Sequence, residues 1–279
     1  MGNTFETNLI NALKDTYNEK DIETKQYNIQ KIIEGVENFS RLIQKGDYRE
    51  EGYGEIFVTY FKSFTVPIVF EDSRTKKRDN GSGCLLRLDR DFLITNAHVV
   101  NGALKAEFIL IGKIEVENLK EKIVSIDEDL DLAVIDLSDG VNEELEQSGK
   151  MFFKPKSWPS SNCEKDDLVY ICGFPGVFRE DEELFSTIYF AAIHERIMDV
   201  TDRRYISEFT REKWRKALGV KEIVELERLG GLSGGPVFKC RDDLIELVGF
   251  TYEDGGGFFD GIKIIKSNFI GTNGELLKG

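Results

Sequence analysis

Apolar residues recur every three to four positions in the first fifty residues of the chain, from Leu9 to Tyr17 and again from Ile29 to Ile43. This is the period of an amphipathic helix. The second pattern stops before Gly46, a residue type that commonly ends helices. The pattern therefore predicts two amphipathic helices in an N-terminal helical extension, residues 1–50. They either pack on the main domain or serve as a docking or regulatory module.

After about residue 55 the apolar residues instead form short runs rich in β-branched and aromatic side chains. Gly, Asp, Asn and Ser separate these runs, which is typical of an all-β sandwich or barrel. Helical patterns do not alternate with the runs, and this disfavours a parallel α/β sheet. One helix is predicted inside this region, TREKWRKALG, with Thr210 as its N-cap. The predicted strands are IFVTYF, TVPIVFED, GCLLRL, DFLITNAHVV, AEFILI, LDLAVIDL, DLVYICGF, FSTIYFAAI, LIELVGFTY and GIKIIK.

Charge and composition narrow the classes of function. Among the 279 residues, 51 acidic and 37 basic side chains give a net charge of −14. This disfavours nucleic acid or an anionic membrane as partner and suits a cationic peptide or protein. No run approaches the ~20 apolar residues of a membrane span, and the N-terminus lacks the basic start and apolar stretch of a secretory signal. We therefore expect a cytoplasmic protein.

The cysteines and one of the histidines give no sign of a metal site. Cys84, Cys163, Cys172 and Cys240 contain no C-x-x-C pair. They are predicted to be reduced, buried thiols rather than a disulfide framework or zinc ligands. His194 has no second histidine at the spacing of an H-E-x-x-H motif, so a structural role is predicted for it.

A glycine-rich turn around Ser233, GGLSGGPVF, is the strongest chemical signal in the chain. It satisfies G-x-S-x-G, the nucleophile motif of α/β-hydrolases, but those enzymes place their histidine after the serine and continue from the serine into a helix. Both histidines, His98 and His194, precede Ser233, and Pro236 leads into another predicted strand. The α/β-hydrolase assignment is therefore excluded, and the candidate base lies upstream of the serine.

Three motifs in the order His, Asp, Ser resemble a known family. GSGCLLRLDRDFLITNAHVV contains His98, DLAVI begins with Asp131, and GLSGGP contains Ser233. Together with GFPG they are similar to the motifs of trypsin-like serine peptidases of the bacterial type, nearest to the protease domain of the HtrA family. The resemblance implies an all-β core, a chymotrypsin-like double β-barrel at residues 51–279 that follows the N-terminal α-helical extension. Only a short segment follows the last predicted strand, so the PDZ domain of HtrA proteins is not expected.

The resemblance implies a role for each of these residues. A serine hydroxyl needs a base whose pKa lies near neutral pH, and a histidine needs a carboxylate that fixes its tautomer. His98 is therefore expected to act as general base and then acid, Asp131 as its orienting partner and Ser233 as nucleophile. Asp129 and Asp136 also compete for the carboxylate role. The resemblance selects Asp131, because it directly precedes Leu-Ala-Val.

The same resemblance implies an oxyanion hole formed by the backbone N–H groups of Gly231 and Ser233. Leu232 stands where vertebrate trypsins have an aspartate that pairs with a newly freed N-terminus, so that activation route is excluded. Residues 177–228 are a long, charged connection. Because such loops cover or assemble the active site in this family, we expect activation by a partner or by a loop rearrangement.

Substrate-binding residues are implied in two places. Phe250, Thr251 and Tyr252 lie on a strand placed like the one that pairs with an extended peptide, with Tyr252 at the mouth of the primary specificity pocket. By family analogy Glu227 lies near the floor of that pocket. A carboxylate there would favour Arg or Lys before the cleaved bond.

The sequence thus predicts a serine endopeptidase that forms an acyl-enzyme intermediate and uses no metal or cofactor. Its expected partners are a peptide or protein substrate and a regulatory protein bound through the N-terminal helices. One alternative is a catalytically silent protein of the protease fold with a binding or regulatory role. Another is an esterase on the same fold that cleaves no peptides.

Overall fold

The computed structural model describes residues 53–72, 75–176, 180–181, 186–210, 212–213, 230–241, 244–252 and 261–278. The two helices predicted within residues 1–50, and hence the boundary proposed at residue 51, lie outside the described residues. So does most of the helix predicted at 210–219.

Strands make up most of the regular secondary structure in the described chain. The strands are β1 (Thr65–Asp72), β2 (Arg78–Arg87), β3 (Asp91–Thr95), β4 (Ala106–Ile111), β5 (Ile114–Glu115), β6 (Ile123–Asp127), β7 (Leu132–Asp136), β8 (Leu168–Gly173), β9 (Glu180–Asp181), β10 (Ser186–Thr187), β11 (Ala191–Val200), β12 (Arg204–Ser207), β13 (Pro236–Arg241), β14 (Leu244–Tyr252) and β15 (Ile262–Lys266). The helices are α1 (Tyr53–Phe64), α2 (Ala97–Ala103), α3 (Leu119–Lys122) and α4 (Val141–Gln147). A 3₁₀ turn, Ser267–Phe269, follows β15.

The first half forms an antiparallel sheet of seven strands in the order β5-β4-β1-β2-β3-β7-β6. Its inner face packs against α2 and α4 around a core that includes Leu85, Leu93, Val100 and Leu145. Strand β3 pairs with β7 so that Thr95, the last residue of β3, lies opposite Ala133. Because the strands are antiparallel, the residues that follow β3 and those that precede β7 meet at one edge of the sheet.

The second half closes into a six-stranded antiparallel barrel in the order β11-β12-β15-β14-β13-β8. Branched and aromatic side chains fill it, among them Val169, Ile197, Tyr205 and Ile264. Closure leaves these six strands without an unpaired edge. The turn that contains Ser233 immediately precedes β13, so the barrel fixes the end of that turn.

Helix α1 corrects one strand prediction. The apolar run IFVTYF, residues 56–61, predicts a strand, but it lies within α1. Tyr60, Phe61 and Phe64 are buried at helical spacing, and the ring of Phe61 stacks on Phe238 at a centroid distance of 4.7 Å. A run of six apolar residues does not by itself distinguish a strand from a helix. Here packing against the barrel selects the helix.

Within the described ranges, no helix combines the length and apolar composition that crossing a membrane requires. The four cysteines are free thiols, and burial raises the pKa of Cys163 and Cys240 to about 12. A thiol with such a pKa stays protonated at neutral pH and is a weak nucleophile.

Candidate active site

His98 and Asp131 meet at the edge where β3 ends and β7 begins. His98 lies in the first turn of α2, because β3 stops at Thr95. Asp131 directly precedes β7 and has a left-handed φ of +54°. The Nδ1 of His98 lies 2.8 Å from Oδ2 of Asp131, and the backbone N–H of His98 donates to Oδ1 at 2.9 Å. One carboxylate thus holds both the ring and the main chain of the histidine.

A further hydrogen bond holds the aspartate in this position. The side-chain amide of Asn96 donates to the backbone oxygen of Asp131 at 2.7 Å. The Asp131 side chain is 13% exposed and that of His98 is 49% exposed. An Nδ1–H that donates to the carboxylate leaves Nε2 as the unprotonated nitrogen, and the exposed ring can present Nε2 to a reacting group.

The two competing aspartates lie elsewhere. Asp129 is exposed in the turn before β7. Asp136 is at the far end of β7, where it accepts a hydrogen bond from Arg90. Of the three candidates, Asp131 is the one that contacts His98.

The turn around Ser233 packs against the segment that leads to His98. Gly234 has a φ of +83°, and a Cβ there would lie 2.3 Å from Oγ1 of Thr95 and 3.0 Å from the backbone N of Asn96. Such contacts are too close for any side chain, so glycine is required at this point. Ser233 itself is 5% exposed. Among the described residues no hydrogen bond joins Ser233 to His98.

The peptide between Gly230 and Gly231 has a defined orientation. The carbonyl oxygen of Gly230 accepts a hydrogen bond from the backbone N–H of Gly176 at 2.5 Å. In a trans peptide the N–H points opposite to the C=O, so the N–H of Gly231 is directed away from Gly176. Gly231 has a φ of +95°, and a Cβ there would lie 2.3 Å from Nδ2 of Asn80. A side chain at this position would therefore disturb the turn.

Ser82, on β2, connects this turn to the first sheet and is a residue that the sequence analysis misses. Its hydroxyl donates to the carbonyl of Gly231 at 2.6 Å and accepts from the N–H of Phe174 at 2.8 Å. Its backbone N–H donates to the carbonyl of Ser233 at 2.8 Å. The position of Ser82 between two glycines, in the segment GSG, is the sequence feature that could have drawn attention to it. Its partners cannot be predicted, because they lie far away in the sequence.

The predicted substrate residues separate into two groups. Phe250 is fully buried, and Thr251 is 1% exposed and donates from its hydroxyl to the carbonyl of Leu232 at 2.5 Å. These two side chains are buried in the core and against the turn, whereas pairing of this strand's backbone with an extended peptide stays a prediction. Tyr252 is partly exposed. Glu227 lies outside the described residues.

Comparison with protein families decides what kind of site this is. A family model described as the trypsin-like peptidase domain matches residues 81–249, a segment that contains His98, Asp131 and Ser233. The chain belongs to the trypsin-like peptidase family. This trypsin-like peptidase is therefore a serine endopeptidase, and its substrates are peptides or proteins.

Similar solved structures include the Rv3671c protease from M. tuberculosis in its active form. The two chains are 17% identical, the match covers 75% of this chain and 78% of the other, and the TM-score is 0.47. A thermostable serine protease, AL20, from an extremophilic microorganism is 13% identical, with 74% and 91% covered and a TM-score of 0.46. The HtrA-type protease AlgW with a tripeptide is 16% identical, with 74% and 56% covered and a TM-score of 0.36. A comparison with curated protein sequences gives no match.

The family and the architecture agree. A closed barrel of six strands beside a second antiparallel sheet, with few helices, is the chymotrypsin-like double-barrel fold that the sequence predicts for this peptidase. Within the described ranges, no group of three or more potential metal ligands comes together.

Proposed function

We propose that this peptidase hydrolyses peptide bonds with Ser233 as nucleophile, His98 as general base and then acid, and Asp131 as the group that orients the imidazole. The observation that carries the proposal is the double contact of the Asp131 carboxylate, with Nδ1 at 2.8 Å and with the backbone N–H at 2.9 Å. This contact fixes the tautomer in which Nε2 can accept a proton.

The reaction proceeds in two halves. The Oγ of Ser233 bonds to the carbonyl carbon of the substrate, its proton moves to Nε2 of His98, and the carbonyl electrons pass to the oxygen. When the oxyanion collapses, the C–N bond breaks and the amine leaves with the proton from His98. A water molecule then attacks the acyl-enzyme, again with His98 as base. The ester bond breaks, and its oxygen returns to Ser233 as the hydroxyl.

The oxyanion is stabilised by the N–H groups of Gly231 and Ser233. Support comes from the hydrogen bond between Gly176 and the Gly230 carbonyl, which directs the Gly231 N–H to the opposite side. Leu232 is 1% exposed in the barrel core, with its Cδ1 close to Gly173, so apolar packing anchors the turn. One lost donor in such a hole costs about 10²–10³ in rate.

Activation by substrate, by a partner or by a loop rearrangement is part of the proposal. It is motivated by the missing hydrogen bond between Ser233 and His98 among the described residues. In free enzymes such catalytic hydrogen bonds are often loose and tighten only when substrate binds. The same feature motivates the alternative, a silent protein of the protease fold with a binding or regulatory role.

A fluorophosphonate probe separates the two, because it reacts only with an activated serine. We expect labelling of the wild type at Ser233 and none of Ser233→Ala, with Ser160→Ala as the control that keeps labelling. Absence of labelling in every state, including with cellular partners added, would favour the silent protein. Labelling together with ester turnover but no cleavage of any peptide would favour the esterase.

We also propose a reducing compartment, the bacterial cytoplasm, as the site of action. The four free thiols support it, since cysteines of proteins in oxidising compartments are commonly paired in disulfides. Cell fractionation with an antibody against the chain tests this, and recovery in an oxidising compartment would contradict it.

Regulation through residues 1–46 is tested by comparing kcat/KM of the full chain and of a chain without that segment.

A further inference from the structure

A pocket rich in basic residues lies on the outer face of the barrel. It has a volume of about 410 Å³ and lies mainly at the turn between β11 and β12. We call it the basic pocket. The residues that line it are Thr201, Asp202, Arg203, Arg204, Ile206 and Lys263.

The charge of the basic pocket is opposite to that of the chain. Arg203, Arg204 and Lys263 stand against one acidic residue, Asp202, whereas the whole chain has a net charge of −14. No described carboxylate forms an ion pair with the guanidinium of Arg203 or Arg204. Two arginines at a cavity without such a pair are suited to bind a carboxylate from outside, because a guanidinium can donate two parallel hydrogen bonds to it.

An aromatic ring holds Arg204 in place. The guanidinium carbon of Arg204 lies 4.6 Å from the centroid of the Tyr252 ring. This stacking reduces the freedom of a long side chain and leaves the edge of the guanidinium available for hydrogen bonds. Strands β12, β15 and β14 are neighbours in the barrel, which explains how two residues far apart in sequence come together.

Tyr252 connects the basic pocket to the catalytic residues. The hydroxyl of Thr251, directly before Tyr252, donates to the carbonyl of Leu232, the residue before Ser233. Thr251 also donates its backbone N–H to the carbonyl of Gly235, two residues after Ser233. The basic pocket is therefore linked, through Tyr252 and Thr251, to the turn that contains Ser233. Two strand spacings of about 4.8 Å separate Tyr252 from β12.

We propose that the basic pocket is a substrate subsite that binds an acidic side chain, Asp or Glu, located about two to four residues before the cleaved bond. An extended peptide advances about 3.3–3.6 Å per residue, so two to four residues cover about 7–14 Å, a range that includes the two strand spacings from β14 to β12. The inference rests on the proposed function, since it assigns a specificity to the same site. It differs from the preference for Arg or Lys before the cleaved bond, because that preference concerns another position.

The test uses pairs of fluorogenic peptides that differ only by Glu or Gln at one of the three positions. For the wild type we expect kcat/KM to be roughly tenfold higher with Glu at the best position, as for one charge-assisted hydrogen bond. In Arg204→Gln this ratio should fall to about one, and in Arg204→Glu the preference should change to a peptide with Lys. Arg196→Gln is the matched control, an exposed arginine of β11 outside the basic pocket, and it should keep the wild-type ratio. Thermal unfolding checks that each variant is folded.

A wild type that cleaves the Glu and Gln peptides equally at all three positions would overturn the subsite and leave the proposed function intact. So would an Arg204→Gln variant that keeps the preference. If no peptide is cleaved, the proposed function fails and the subsite is judged by binding alone. Fluorescence anisotropy of the same peptides with Ser233→Ala should then show tighter binding of the Glu peptide, and equal binding would overturn the inference.

Discussion

At the scale of single residues, Asp131 makes two contacts with His98 that have different effects. The contact with Nδ1 selects the tautomer of the ring, whereas the contact with the backbone N–H fixes where α2 begins relative to β7. Both depend on the left-handed conformation of Asp131, which non-glycine residues rarely adopt. A residue with a strained backbone conformation therefore lies at the site of the proposed function.

We expect Asp131→Asn to lower kcat/KM by about 10³–10⁴, because an amide in place of the carboxylate favours the wrong tautomer of His98. Asp129→Asn is the matched control. It makes the same chemical change two positions away, at an exposed residue, and kcat/KM should stay near that of the wild type. Steady-state kinetics on one good peptide measure both. Equal losses in the two variants would contradict the role assigned to Asp131.

Ser82→Ala should lower kcat by about tenfold to a hundredfold with a smaller change in KM. The substitution leaves the carbonyl of Gly231 and the N–H of Phe174 without the hydroxyl, and the oxyanion hole acts mainly in the transition state. Ser125→Ala is the control, because it removes a comparable hydrogen bond, to the carbonyl of Gly274 at 2.7 Å, away from the site. Both variants should lose stability. A kcat unchanged by Ser82→Ala would contradict a role of the Ser82 hydroxyl in holding the oxyanion hole.

At the scale of elements, α1 joins the two halves of the domain. Phe61 contacts Phe238 and Tyr170 of the barrel, whereas Phe64 contacts Phe153 at a centroid distance of 5.4 Å. Phe153 in turn hydrogen-bonds through its backbone to Leu85 of β2. The helix is therefore part of the core rather than an appendage.

Truncation of this contact should be costly. Phe61→Ala is expected to lower the free energy of unfolding by about 3–5 kcal/mol, as for other buried aromatic side chains. Leu277→Ala is a suitable control because Leu277 is 50% exposed, and its effect should be below about 1 kcal/mol. Urea denaturation followed by fluorescence gives both values. Similar small losses would mean that α1 is not packed as described.

Lys150 forms hydrogen bonds at the C-terminal end of α1 and makes the stability of the protein depend on pH. Its Nζ donates to the carbonyls of Lys62 at 2.8 Å and Thr65 at 2.7 Å. Burial first, and then repulsion by Lys62 and Lys113, lowers its pKa from 10.5 to about 7. Between these two values the unfolded chain binds a proton that the folded chain has lost, so stability from this group rises with pH.

The expected slope is at most about 1.4 kcal/mol per pH unit above pH 7, and it disappears below pH 7, where both states are protonated. The measurement compares unfolding free energies of the wild type and Lys150→Met at several pH values from about 6 to about 9. The wild type should gain stability relative to the variant as pH rises. A difference that is constant with pH, or one that falls, would contradict the lowered pKa of Lys150.

At the scale of the whole molecule, the features predicted from the sequence are those that depend on local patterns. The runs AEFILI and LIELVGFTY correspond to β4 and β14 residue for residue. The order of the motifs around His98, Asp131 and Ser233 sufficed to indicate the trypsin-like family. These patterns are short, and the residues that determine each of them lie close together in the chain.

Features that depend on contacts between distant segments could not be predicted. The bond from Ser82 to Gly231 joins residues 149 positions apart. The approach of Arg204 to Tyr252 arises from the strand order of the barrel.

The extent of β11 shows a second limit of the apolar pattern. The predicted run FSTIYFAAI ends at Ile193, whereas the strand continues to Val200. Beyond Ile193, exposed His194 and Arg196 alternate with buried neighbours, one of which is the carboxylate of Glu195. A search for continuous apolar runs misses this part of the strand, because its buried positions are separated by polar side chains and include a charged one.

The proposed role of Ser233 is that of the nucleophile in peptide-bond hydrolysis. Incubation of a peptide library with the wild type and with Ser233→Ala, followed by mass spectrometry of the products, tests it most directly. We expect cleavage fragments from the wild type and none above background from Ser233→Ala, while both proteins unfold at similar temperatures. Fragments from both proteins at the same rate, or no fragments from a wild type supplied with cellular partners, would contradict it.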